Sequence, residues 1–128
     1  MPRSCAGYRC LVTLKIWQRR VGTTVVVAPE GEVDLASSEQ LREGLLAAET
    51  SADGSLVVDL RGVGFIDSTG IGELVGCQRR SRDAEVKLAF VVPDGGRILK
   101  ILHLMGMEAV FDLHSDESAA IAAVAGDE

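Results

Sequence analysis

Apolar and polar positions follow two rhythms along this chain, one of period two and one near 3.6. From Cys10 to Trp17, Val12, Leu14 and Ile16 alternate with Thr13 and Lys15, which predicts a half-buried strand. Gln18 to Gly22 is the expected turn, and the β-branched run from Thr23 to Ala28 the return strand. Pro29 to Asp34 reads as a polar loop with Val33 as its apolar member. Ser37 then stands three residues before Gln40, the spacing of a capping box, and Leu41, Leu45 and Ala48 form the stripe of a first helix. Ser51 to Ser55 is loop, turning at Asp53-Gly54.

Leu56 to Leu60 is a nearly continuous apolar run, as in a strand covered on both faces. After a glycine-punctuated turn, Phe65 and Ile66 lead into Asp67-Ser68-Thr69-Gly70. There the period changes, with Ile71, Leu74 and Val75 marking a helix that ends near Arg82. Val86 to Val92 predicts another strand, broken by Pro93 to Gly96. Ile98, Ile101, Leu102 and Met105 stripe a further helix, with Gly106 at its C-terminal cap. Ala109 to Phe111 is expected as a short final strand. Ser115 is expected to cap a last helix through Ala119 to Ala125, with Asp116 and Glu117 favourable in its first turn. The order predicts an α/β fold: a mixed β-sheet of four to five strands, partly parallel, packed by about four α-helices. Residues 1–9 read as a flexible N-terminal extension and residues 10–128 as one domain.

Composition narrows the function classes. The chain has 128 residues, 47% of them hydrophobic, enough for one real core. Its net charge of -6 argues against nucleic acid or an anionic membrane as the main partner. Cys5, Cys10 and Cys77 form neither a C-x-x-C pair nor a disulfide framework, so reduced thiols in the cytoplasm are expected. No signal-peptide pattern or membrane-spanning run is visible. Glu32 and Asp34 lack the spacing of a metal site, and no phosphate-cradling fingerprint predicts a cofactor. Hydrolytic chemistry fits poorly. Ser68 sits in I-D-S-T-G rather than G-x-S-x-G, one residue too many separates it from Gly70 for an aspartic protease, and His103 and His114, the only histidines, have no evident Ser/Asp partnership. A non-enzyme is expected.

Ser68 opens a helix, where free N–H groups and the positive end of the macrodipole meet. Its hydroxyl could cap the helix, accept a phosphate or act as a nucleophile. An acid and two hydroxyls between Gly64 and Gly70 suggest an exposed, open turn. Phosphorylation would add roughly -1.5 to -2 charge. The helix would favour that charge by about 0.3–1 kcal/mol, while Asp67 would oppose it. Folding should change little, and a docked partner should respond strongly, because a doubly charged group resists desolvation. Gly72 and Gly76 share a helix face and fit either close packing on the sheet or a smooth groove for another backbone.

Four segments together resemble a known family. They are G-E-V-D at Gly31 to Asp34, L-R-E-G-L-L from Leu41, V-D-L-x-x-V-x-F-I-D-S-T-G-I-G-x-L from Val58, and L-x-x-M-G-M-E-A-V-F from Leu102. This combination is similar to the STAS domain, and within it to the stand-alone anti-sigma factor antagonists of bacteria, over Leu11 to Val124. The resemblance implies a partner switch. Such a protein binds an anti-sigma factor that is also a serine kinase, freeing a sigma factor. The kinase phosphorylates the antagonist, and a serine phosphatase resets it. The family's acceptor serine falls on Ser68, with Thr69 as a minor candidate. Its docking surface falls on Asp34 with Glu32, and on Asp67, Ser68, Thr69, Gly70, Gly72 and Glu73. Glu73 departs from the apolar residue expected there. A monomer or weak dimer is implied. The alternatives are a non-phosphorylated STAS scaffold subunit, or a small-molecule or nucleotide-binding module using the Ser68 helix N-terminus.

Overall fold

Two layers of helix sandwich a six-stranded mixed sheet. The computed structural model describes residues 14–125. Strand β1 spans Lys15–Val21 and pairs antiparallel with β2, Thr24–Val33, through a tight turn at Gly22, whose φ of 62° suits glycine. The hairpin therefore lies later than the alternation suggested: Gln18 to Val21 are strand, and the predicted strand's first residues, Cys10 to Thr13, fall outside the described chain.

The expected loop at Pro29 to Asp34 is instead the second half of β2 as far as Val33. Its pairing explains this. The first half of β2 runs parallel to β3, Ser55–Asp59, while the second half runs parallel to β4, Val63–Ile66, with a bulge between Gly31 and Glu32. Local composition spoke for a loop, and a long-range ladder overrode it. Strand β4, read from the sequence only as a lead-in, brings the count to six. Strand β5, Lys87–Val91, adds parallel to β3, and β6, Leu113–His114, parallel to β5. The last strand is thus not Ala109 to Phe111; Met107–Ala109 is a 3-10 turn.

Alternate residues of each strand enter different cores. Val25 and Val27, Leu56 and Val58, Leu88 and Phe90 face three helices: α1, Ser38–Ser51, α2, Ser68–Asp83, and α3, Arg97–Leu104. Val26, Val57, Ala89 and Val91 face α4, Glu117–Ala125, through Ala120 and Val124. Cys77 is buried and unpaired on the first face. Helix α3 ends as expected, with Gly106 left-handed at φ 72°, although Met105 lies outside the helix and is exposed. At α4 the cap is Asp116, which accepts from the Ala119 N–H at 2.8 Å, not Ser115. No helix among the described residues is long and apolar enough to cross a membrane.

Candidate phosphoacceptor and docking site

The parallel pairing of β2 and β4 builds this site. Val33 and Ile66 are register partners, so the segments that follow them, Asp34–Ser37 and Asp67–Gly70, leave the sheet side by side. The Asp67 N–H donates to the Val33 carbonyl at 3.1 Å and ties the two together. Carboxyl ends of parallel strands are where α/β sheets characteristically present ligands and partners.

Helix α2 then starts with an Asp cap. Asp67 Oδ1 accepts from the N–H groups of Thr69 at 3.0 Å and Gly70 at 3.2 Å. It also accepts from the Thr69 hydroxyl at 2.6 Å. The Thr69 hydroxyl foremost, with the backbone N–H groups, holds the Asp67 carboxyl below the usual carboxylate range against the opposing effect of burial. Because Asp67 fills the cap, Ser68 is not one. It is the first helical residue, exposed, and its hydroxyl makes no hydrogen bond among the described residues. Of the two adjacent hydroxyls, one is held and one is free.

Glycine use also departs from expectation. The close-packed position is Gly70: a Cβ there would stand 2.5 Å from Val33 Cγ1 and 2.6 Å from Ile66 Cγ1. Gly72 is exposed with open space around it, and a Cβ on Gly76 would meet only the end of Arg80, at 3.2 Å. The sheet-packing reading therefore fails for both. Gly72 leaves a smooth surface one turn from Ser68, with Glu73 half-buried beside it.

On the neighbouring segment, Ser37 precedes α1 but makes no side-chain cap bond. The expected capping box with Gln40 does not form; Gln40 Oε1 accepts from the Leu14 N–H at 3.4 Å. The Ser37 hydroxyl instead donates to the Glu32 carbonyl at 2.7 Å and accepts from the Asp34 N–H at 3.1 Å. Asp34 Oδ1 accepts from the Ser37 N–H at 3.1 Å. This closed turn fixes Asp34, which, like Glu32, is exposed. The structure thus brings Glu32, Asp34, Asp67, Ser68, Thr69 and Gly70 to one end of the sheet, and Gly72 and Glu73 follow on α2. Two neighbours escaped the sequence reading: Leu35, 76% exposed beside Asp34, and Phe65, 38% exposed opposite Glu32. Leu35 was an apolar residue in a polar stretch, a signal that could have been read; Phe65 needed the register of β4.

His114 lies in β6, with Nε2 3.0 Å from Asp112 Oδ1, and His103 is exposed on α3. Both line a cleft of about 640 Å³ with Val92, Leu99 and Phe111, to which residues 67–70 contribute nothing.

The mixed sheet covered by helices on both faces, with the exposed Ser68 at the start of α2, is the arrangement of a small α/β domain. The chain belongs to the STAS domain family: residues 16–114 match the family described as Mlab, STAS domain. It is 31% identical over 101 residues to the anti-sigma-F factor antagonist RsfB of Mycobacterium tuberculosis, covering 79% of this chain and 81% of that one. It is 29% identical over 94 residues to the anti-sigma-B factor antagonist of Bacillus subtilis, covering 71% and 82%. In fold it is similar to an anti-sigma factor antagonist from Mycobacterium paratuberculosis, with a TM-score of 0.79 at 23% identity over 88% of this chain and 94% of that one.

Proposed function

We propose that this chain is an anti-sigma factor antagonist. It docks on an anti-sigma factor through the surface around Asp34 and the first turn of α2, and phosphorylation of Ser68 switches it off. The observation that carries this reading is the free Ser68 hydroxyl: Asp67 caps α2, so Ser68 has no structural duty in the helix start. The similarity to relatives named for the same role over four-fifths of their length supports the class of partner. The partner is an anti-sigma factor with serine kinase activity, and a serine phosphatase restores the antagonist. The chain itself does no chemistry.

The physics of the switch is local. A phosphate on Ser68 sits at the positive end of α2, so the fold tolerates it. An interface closed over that position must desolvate it, beside the exposed carboxylate of Asp34 and the half-buried ones of Asp67 and Glu73. Ser68→Asp should therefore weaken binding to the anti-sigma factor by about tenfold or more, from a desolvation cost of about 1–3 kcal/mol. Its Tm should stay within about 3 °C of wild type, as for an exposed substitution. Isothermal titration calorimetry and a melting curve check both, and equal affinity for the two proteins sinks the reading.

A further inference from the structure

We propose that Asp67 selects which of two adjacent hydroxyls is phosphorylated, directing the phosphate to Ser68 by holding Thr69 back. This deepens the reading of Ser68 as the acceptor and rests on it. In the transfer, a side-chain oxygen attacks the γ-phosphorus of ATP held by the kinase. The new O–P bond forms as the bond to the ADP oxygen breaks, and the hydroxyl proton passes to a base of the kinase. Whichever hydroxyl reaches the nucleotide becomes the acceptor.

Ser68 and Thr69 both lie in the first turn of α2, so their positions along the helix do not separate them strongly. Their side chains do. Ser68 is exposed, and its hydroxyl gives up nothing when it enters a kinase site. Thr69 is half-buried and donates to Asp67 Oδ1 at 2.6 Å, a short hydrogen bond to a charged acceptor. Presenting Thr69 to a kinase requires rotation about its χ1 and loss of that bond.

A carboxylate this close to a hydroxyl could instead activate it as a base. Three donors already converge on Asp67 Oδ1, and they make it a weaker proton acceptor than an ordinary carboxylate. The bond therefore restrains Thr69 without priming it. Nor can the helix start slide by one residue to exchange the two roles. Gly70 is wedged against Val33 and Ile66, and the Asp67 N–H is tied to the Val33 carbonyl.

The test incubates wild type, Asp67→Asn and Asp67→Ala with ATP and an extract of the native cells, and maps phosphate by mass spectrometry. Wild type should carry its phosphate predominantly on Ser68. In Asp67→Ala the ratio of phospho-Thr69 to phospho-Ser68 should rise at least about tenfold, the fold-change set by losing one hydrogen bond to a charged group. Asp67→Asn keeps an acceptor oxygen for the cap and for Thr69, and should fall between. Val57→Ala loosens the opposite core and should leave the ratio unchanged, which separates selection from general destabilisation.

Phosphate confined to Ser68 in Asp67→Ala overturns the inference, as does phospho-Thr69 equal to or above phospho-Ser68 in wild type. If Asp67→Ala takes up no phosphate at all, NMR couplings about the Thr69 χ1 decide. Averaging over rotamers in that variant, against one rotamer in wild type, supports selection; one rotamer in both overturns it. No phosphate on either hydroxyl of wild type, in an extract that phosphorylates a control substrate, instead removes the Ser68 reading itself.

Discussion

Three residues at the start of α2 have separable jobs. Asp67 supplies the cap, so Asp67→Ala should cost about 0.5–2 kcal/mol at neutral pH. The sign with pH follows from the lowered carboxyl. Its contribution is complete above the ordinary carboxylate range near 3.9 and is lost as pH falls through the lower folded value. The stability gap between wild type and variant should thus be wide at pH 7 and narrow as pH falls below the ordinary carboxylate range, as urea titrations at several pH values would show. Gly70 and Gly72 should respond oppositely to alanine. Gly70→Ala forces a methyl to within 2.5 Å of Val33 and should destabilise by about 1–3 kcal/mol. Gly72→Ala enters open space and should stabilise the fold by about 0.5–1 kcal/mol through helix propensity. If Gly72 belongs to the docking surface, the more stable variant should bind its partner less well.

Among the elements, β2 and α4 carry the organisation. Besides the antiparallel β1, the ten residues of β2 serve two parallel neighbours, β3 with the first half and β4 with the second, and that division places Asp34 beside Asp67. Helix α4 covers the other face, and Glu117 at its start meets Asp59, Arg61 and Arg19 of the sheet and its turns. Arg61 grips the buried Asp59 at 2.7 Å and reaches Glu117 at 3.3 Å, and Glu117 also pairs with Arg19. Burial alone would raise the Asp59 carboxyl, but the Arg61 hydrogen bonds outweigh it and leave it lowered. Glu117 is raised, first by its hydrogen bond with Asp59 and then by burial. A raised acid contributes stability below its ordinary pKa and loses it as pH rises through the folded value. Glu117→Gln should therefore gain stability relative to wild type between pH 4 and pH 7. A gain that shrinks over that interval would show that the arginines, rather than Asp59, dominate Glu117.

For the molecule as a whole, the two cores differ in thickness. Three helices cover one face and one short helix the other, so the site sits on the better-supported side. Cys77 reports on that side: burial foremost pushes its thiol far above the usual range, leaving it inert in the native state. In a Cys5→Ser, Cys10→Ser background, modification of Cys77 by a thiol reagent should proceed only through opening of the first core. Its rate should rise with urea as global unfolding does; rapid labelling without denaturant would mean that α2 loosens locally. Under the proposed switch, an α2 that opens only with the whole core lets one phosphate act on a partner rather than on the fold.

Period and punctuation in the chain were enough to determine the class of fold, the helix opening at Ser68, and the resemblance that points to a STAS domain. These are local properties: an apolar stripe, a glycine cap and a strand of continuous aliphatics each declare themselves within a dozen residues. The two ends of β2 did not. Pro29 to Asp34 has the composition of a loop, yet it is strand as far as Val33, because β1 pairs with Pro29 and Glu30 and β4, some thirty residues later, pairs with Gly31 to Val33. Hydroxyls were equally ambiguous. Ser37, Ser68 and Ser115 each stood where a cap belongs, yet none caps through its side chain, because Asp67 and Asp116 were better placed and Ser37 was drawn to Glu32 and Asp34. Several neighbours in a row could satisfy the same N–H groups, and only packing chose among them. That choice left the Ser68 hydroxyl free and bound that of Thr69, a distinction between adjacent residues that arises from the direction of side chains rather than their order.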